Sequence, residues 1–356
     1  MSSQVTDLLT PTARLLAPAG LPRDEWLEVR RQGIGGSDVA AILGMDKRRG
    51  PLHVYLDKRG ELEERREPKL DRSARRGQKL ESLVAELFAE ETGLTVADSP
   101  GTLQHVDHPW MLVNIDRAVF EQQGGELCGD GGVLECKTRT WRSARSEDWR
   151  GEEPPDGPAI QAFWGDAVTG YRKAWVAGLV DDDFVWFQLQ YDQELIDHMV
   201  EMVGNFWHNH VLAGVPPEPG DLDATDELLS HLWEVKADSM RFFSPEEVAE
   251  ADKLIARRRE LLDERKTLKR ELGEIENKLK ARLGDAEIAL APGRELYSWK
   301  RNGNFAPKRF REAHPRLAAQ YQKRIDVLDV DALKTHQPDK HRAFRARVLR
   351  VPGSSE

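Results

Sequence analysis

Between Gly132 and Thr138 the chain reads Gly-Val-Leu-Glu-Cys-Lys-Thr, an apolar strand pattern broken by an acid and a base two residues apart. Successive side chains of a strand alternate faces, so Glu135 and Lys137 point one way and Cys136 the other. A carboxylate and an ammonium therefore share one site. Upstream, Val113-Asn114-Ile115-Asp116 ends a second hydrophobic run in an acid. Hard oxygen ligands in small number suit Mg²⁺ or Mn²⁺. An isolated Glu-x-Lys is ordinarily a cross-strand surface pair. Joined to Asp116, it points to a metal-dependent nuclease in which Lys137 positions or activates water.

The flanking segments supply further motifs in a fixed order. A helix is predicted near Pro22 to Gln32, then the turn Arg30-Arg31-Gln32-Gly33-Ile34-Gly35-Gly36-Ser37-Asp38, then a helix from Ser37 to about Leu43 capped by Ser37 or Asp38. Free amides at a helix start beside glycine backbone can receive an anion such as a DNA phosphate. Arg76-Gly77-Gln78-Lys79-Leu80-Glu81 opens an apolar helix over Ser73 to Thr92, with Leu80, Leu83, Val84, Leu87 and Phe88 at helical spacing and Gly93 ending it. Glu81 sits beside that apolar face. Strands are predicted at Thr95 to Val96, Thr102 to Val106 and Trp110 to Val119, and Gly124, Gly125, Gly129, Gly131 and Gly132 read as a flexible hairpin. A helix from Pro158 to Thr169 carries Gln161 next to a buried stripe of Ile160, Phe163, Trp164 and Val168, and the strand Ala174 to Val180 follows.

Composition fits a cytoplasmic α/β protein. The 356 residues can hold one substantial core plus an extension, or two to three small domains. No run approaches the roughly 20 apolar residues that a membrane helix needs. The first twenty residues lack the basic start and apolar core of a signal peptide. Two cysteines, Cys128 and Cys136, imply no disulfide framework, and the ten histidines form no zinc-spaced cluster. The net charge of -10 opposes a nucleic-acid partner until its distribution is seen. Arg294 to Arg350 holds 15 Lys and Arg against six acids, a basic segment on an acidic body.

The proline cluster Val215-Pro216-Pro217-Glu218-Pro219-Gly220 marks a boundary. Beyond it Ser244-Pro245-Glu246-Glu247 starts a long helix in which Leu254, Leu261, Leu268 and Ile275 recur every seven residues. Arg258 and Arg265 occupy the other core positions of that heptad, so the helix is expected to pack on its own chain rather than form a zipper. After Gly284 a hairpin is predicted over 287–290 and 295–300. The basic segment with Trp299, Phe305, Phe310 and Tyr321 follows, its aromatics read as a small core, with DNA stacking as the alternative. The expected organisation is an N-terminal extension (1–24), a nuclease domain (25–215), a linker with the long helix (216–284) and a basic module (285–356).

This order of motifs resembles the YqaJ-like viral recombinase family, whose best-known relative is the lambda exonuclease, within the PD-(D/E)XK nucleases. The resemblance covers residues 25 to 215. It implies an α/β, restriction-endonuclease-like core with a central mixed sheet flanked by helices, here extended by a C-terminal helical arm and a small basic α+β module. It assigns Asp116 and Glu135 to Mg²⁺ (Mn²⁺ as the alternative), Glu81 to the metal or its water, and Lys137 with Gln161 to the attacking water and scissile phosphate. Arg30, with Arg31 a one-residue alternative, and Ser37 match the pocket for a 5′ phosphate. The family's Ala-Ser-Pro-Asp-Gly-like turn is replaced here by Val113-Asn114-Ile115-Asp116-Arg117-Ala118, which leaves the aspartate but not its turn and lets Arg117 approach DNA. Asp107 is a weaker alternative for that acid. The implied activity is a double-strand DNA exonuclease, 5′ to 3′, in a bacterial or phage-infected cell. Its 3′ single strands would pass to a single-strand annealing protein, and the family includes toroidal trimers. Two other readings are a site- or structure-specific endonuclease, opposed by the end-phosphate pocket, and a non-catalytic DNA-binding scaffold, opposed by intact Asp116, Glu135 and Lys137.

Overall fold

The computed structural model describes residues 10–62, 68–123, 126–140, 149–232, 240–300, 306–321 and 328–343. The chain divides into two compact units, Met1–Glu234 and Val235–Glu356. The first opens with β1 (Ala13–Pro18), α1 (Arg23–Arg31), α2 (Gly36–Ile42), α3 (Pro51–Lys58) and α4 (Pro68–Thr92). Next come β2 (Thr95–Asp98), β3 (Gly101–His105), β4 (Leu112–Val113), β5 (Arg117–Gln123) and β6 (Glu126–Arg139). It closes with α5 (Asp156–Thr169), β7 (Ala174–Val180), β8 (Asp183–Leu189), α6 (Gln193–Phe206), a π-helical turn Trp207–Leu212 and α7 (Asp223–Leu232).

The main sheet is mixed, in the order β2-β5-β6-β7-β8. Only β6 and β7 run parallel. A parallel neighbour needs a long crossover, which α5 provides. Alternation along β6 separates two cores. Val133 joins the one that contains Trp164 and Val168 of α5, while Leu134 and Cys136 join Val84 and Phe88 of α4 with Trp175 and Ala177 of β7. Helix α5 lies flush on the strand, because a Cβ built on Gly165 would stand 2.9 Å from Val133. On α4 the buried stripe is Val84, Ala85 and Phe88, whereas Leu83 is 40% exposed.

Two expectations for the strands are corrected. The run Trp110 to Val119 is not one strand. It breaks at Asn114–Asp116, with β4 in a three-stranded antiparallel sheet β1-β3-β4 and β5 in the main sheet. Gly131 and Gly132 are not hairpin residues but lie inside β6, where a Cβ on Gly132 would meet the Trp175 ring at 2.4 Å and one on Gly131 the Tyr171 ring at 2.6 Å. Glycine is required there for close approach. Gly124 and Gly125 lie outside the described residues. Past the proline cluster the first unit continues through α7, whose Thr225 and Leu228 are buried, and Gly50 at the start of α3 faces Leu222 and Thr225.

In the second unit α8 (Pro245–Leu283) starts on a reciprocal cap: Glu247 N donates to Ser244 Oγ at 3.2 Å and Ser244 N to Glu247 Oε2 at 2.8 Å. It stops at Gly284, whose φ of 64° falls in the left-handed region. The heptad seam is not packed away as expected: Leu254 is 68% exposed and Leu268 64%. The hairpin β9 (Ile288–Ala291) and β10 (Arg294–Ser298) turns at Gly293, and Tyr297 Oη donates to Leu279 O at 3.1 Å. Four short helices follow, α9 (Pro307–Ala313), α10 (Pro315–Gln320), α11 (Val330–His336) and α12 (Pro338–Ala343). Trp299 and Tyr321 are exposed and Phe310 half-buried, so these aromatics do not make the expected small core. Phe305 lies outside the described residues. Among the described residues no helix is long and apolar enough to cross a membrane.

Candidate active site

The register between β5 and β6 pairs Arg117 with Leu134 and Ala118 with Val133. One step further, Asp116 stands opposite Glu135, and the two acids share the sheet face covered by α5. The pairing is sealed by Cys136 N donating to Asp116 Oδ2 at 2.8 Å. Lys137 Nζ donates to Glu135 Oε1 and, at 2.9 Å, to Oε1 of Gln161 on α5. Strand β6, the first residue before β5 and the middle of α5 thus bring Asp116, Glu135, Lys137 and Gln161 to one place. Glu81, from α4, lines a cavity of about 220 Å³ with Asp116, Cys136 and Lys137.

Burial and neighbouring charges set the protonation of this site. Burial, reinforced by the Asp116 carboxylate, pushes Glu135 up to about 7, although the Lys137 ammonium pulls the other way. Burial alone would lower Lys137, but the carboxylates of Glu135 and Asp116 more than offset it and the ammonium is held above its ordinary range. Burial and Asp116 also raise Glu81 against the pull of Arg117. Cys136, on the other face, is a buried thiol pushed well up by burial and then by Asp116. It is a core residue, not a nucleophile.

The glycine turn is packed rather than loose. Ile34 is fully buried, with Ile34 N donating to Trp110 O at 2.7 Å and Leu112 N to Ile34 O at 2.9 Å. Gly33 permits this approach, because its Cβ would lie 2.4 Å from Trp110 O. Helix α2 is capped by Gly35, not by Ser37. Asp38, three residues into the motif, returns its carboxylate to Gly35 N at 3.2 Å, and Ser37 faces outward. The buried Asp38 gathers Lys58 at 2.6 Å, Arg30 at 2.6 Å and Arg49 at 2.9 Å. Burial would raise its carboxyl, but these three cations hold it far below the usual carboxylate range. Gly36 sits against Gln161, its Cβ position 3.6 Å from Gln161 O, so the turn and the Lys137 site are joined through α5.

A groove of about 1910 Å³ runs beside the site, lined by Lys47, Arg48, Arg76, Arg139 and Gln161, with Asp156, Asp181 and Asp182 among its acids. It shares Gly77, Thr138 and Arg139 with the smaller cavity.

The chain matches the YqaJ-like viral recombinase domain over residues 25–172. It is also 31% identical over 290 residues to the protein YqaJ of Bacillus subtilis (strain 168), covering 79% of this chain and 84% of that protein. The chain belongs to the YqaJ-like viral recombinase family. Its structure is similar at a coarse level to the alkaline exonuclease LHK-Exo from Laribacter hongkongensis, at 17% identity and a TM-score of 0.43, over 54% of this chain and 94% of that chain. For LHK-Exo in complex with dAMP the values are 16% and 0.41, over the same shares.

In this YqaJ-like chain the two alternatives from the sequence have local partners of their own. Arg31 pairs with Glu28 at 2.8 Å rather than with Asp38, and Asp107 is exposed in the β3–β4 turn, its N–H on His105 Nδ1. Arg117, expected to approach DNA, is engaged within the chain. Its Nη1 donates to Glu81 Oε1 at 2.6 Å. Asp57 adds a second carboxylate to the Asp38 cluster, 3.6 Å from Arg30 and 3.5 Å from Arg49. Nothing in the sequence marks Arg49, Asp57 or Lys58, because a lysine inside an amphipathic helix carries no sign of being fully buried. The role of Arg117 was readable from alternation, since it must face away from Asp116.

Proposed function

We propose that this chain is a Mg²⁺-dependent deoxyribonuclease of the PD-(D/E)XK type that degrades double-stranded DNA from its ends in phage-type recombination. The observation that carries this reading is the opposition of Asp116 and Glu135 across β5 and β6, with Lys137 bridging Glu135 and Gln161. Two carboxylates fit an ion that takes one or two of them and completes its shell with water and phosphate. When bound, such an ion polarises the phosphate and acidifies its water, with Mn²⁺ an acceptable substitute.

The chain's own residues do the rest. The Cys136 amide orients Asp116, leaving its other carboxylate oxygen for the ion. Gln161 and Glu135 fix the Lys137 ammonium, whose remaining N–H faces the phosphoryl group and stabilises charge developing there. Arg30, held by the buried Asp38, and the exposed Ser37 take the 5′ phosphate of the strand end. The closeness of Gly36 to Gln161 supports end recognition beside the chemistry. On this reading the groove lined by Arg48, Arg76 and Arg139 takes the DNA backbone. Polarity is 5′ to 3′, an annealing protein receives the product, and a trimer is the assembly expected from the family.

The test is digestion of end-labelled linear and closed circular duplexes with Mg²⁺. Expected is loss of linear DNA only, faster with 5′-phosphorylated than with 5′-hydroxyl ends, and no digestion by Lys137→Ala. Attack on closed circles would establish an endonuclease, and binding without cleavage a scaffold.

A further inference from the structure

The acids of this site do not stand together as a set of three. Among the described residues no three His, Cys, Asp or Glu side chains are placed to share an ion. Strand alternation supplies the reason. Asp116 and Glu135 face α5, whereas Arg117, one residue later and paired with Leu134, faces α4. There its Nη1 donates to Glu81 Oε1 at 2.6 Å and to Asp116 O at 2.5 Å, its Nη2 to Ser82 Oγ at 3.2 Å, and its Nε pairs with Asp98 at 3.3 Å. The side chain is only 12% exposed. A guanidinium tied at all three nitrogens and largely buried is a fixed structural cation, unlike a surface ion pair that solvent opens freely.

We propose that Arg117 holds Glu81 out of the metal-ligand set, so that Asp116 and Glu135 alone bind the ion and Glu81 acts as a positioning residue outside its shell. The proposal rests on the two-carboxylate site described above. The arginine also sets a positive charge beside the ion's place. Both effects weaken cation binding, so this chain needs more divalent metal than the same site without Arg117.

The test is calorimetric titration of the full chain with Mn²⁺. Asp116→Asn should weaken binding by at least about tenfold. Glu81→Gln should change the dissociation constant less than about threefold, and Arg117→Ala should tighten it about tenfold by releasing Glu81 and removing a cation. In the double variant Arg117→Ala/Glu81→Gln most of that gain should vanish, which a purely structural role for the arginine would not produce. Glu81→Gln in the wild-type background is conservative and independent of whether Arg117→Ala folds. Weakening by Glu81→Gln equal to that by Asp116→Asn overturns the proposal while keeping the metal site. Unchanged or weaker binding by folded Arg117→Ala also overturns it. Mn²⁺ binding that is absent, or indifferent to Asp116→Asn, overturns the two-carboxylate reading itself and the proposal with it.

Discussion

Replacing Glu135 by glutamine should stabilise the metal-free protein at pH 8 and leave it nearly unchanged at pH 4. The Glu135 carboxyl is 7% exposed, and burial together with Asp116 lifts it from an ordinary value of 4.5 to about 7 even with Lys137 alongside. Folding therefore favours its neutral form. The stability this confers is complete below pH 4.5 and is lost as the pH rises through about 7. The interval corresponds to about 3 kcal/mol, at about 1.4 kcal/mol per pH unit. Glutamine has the same shape and stays neutral at every pH, so it should retain most of what the wild type loses, on the order of 2 to 3 kcal/mol at pH 8. The weakened pairing with Lys137 does not reverse the sign, because the upward shift already includes that attraction. Urea unfolding in EDTA, followed by tryptophan fluorescence, reads the effect: nine of the ten tryptophans lie in the first unit, so the transition reports that unit. A glutamine variant less stable than wild type at pH 8, or one equally stabilised at pH 4 and pH 8, would refute the reasoning.

Two further substitutions probe the scaffold around the site. Asp38→Asn leaves the fully buried Lys58 ammonium without its carboxylate and should cost about 3 to 5 kcal/mol in the same unfolding assay. An unchanged urea midpoint would show that the three cations do not depend on Asp38. Gly132→Ala puts a methyl 2.4 Å from the Trp175 ring and 2.6 Å from Lys173 O, and backbone cannot yield as a flexible side chain does. Overpacking of about 1 to 3 kcal/mol is expected, with a shifted Trp175 emission, and a neutral midpoint would argue against the tight β6–β7 approach.

Much of the fold could be read from periodicity, and the exceptions share a physical origin. Alternation over Val133 to Lys137 separates the core and site faces of β6 as the sequence implies, and the stripe Ile160, Phe163, Trp164 and Val168 on α5 is buried as its spacing predicts. The strand break at Asn114–Asp116 was hidden because hydrophobicity continues through Ile115, which is 3% exposed. Composition does not reveal which sheet a buried residue serves. Gly131 and Gly132 escape a sequence reading for a related reason. A glycine in a turn and a glycine under a tryptophan ring look alike until the neighbouring strand is known, and that strand lies some 40 residues on in the chain. Arg258 and Arg265 disfavour a zipper on α8 and point to self-packing, yet its leucines stay exposed.

The site itself was legible where side chains act within one strand and obscure where they act between elements. Glu135 and Lys137 follow from their two-residue spacing alone. Asp116 needs the β5–β6 register, which sets it opposite Glu135 and gives it the Cys136 amide. The same register decides Arg117. A residue adjacent to a metal-site aspartate in sequence is carried by alternation to the other face of the sheet, so proximity in the chain is no evidence that it meets the same ligand. On that face stands α4, and the first acid within reach is Glu81, at 2.6 Å. The pairing that removes Glu81 from Asp116 and Glu135 is thus a consequence of strand parity at one position.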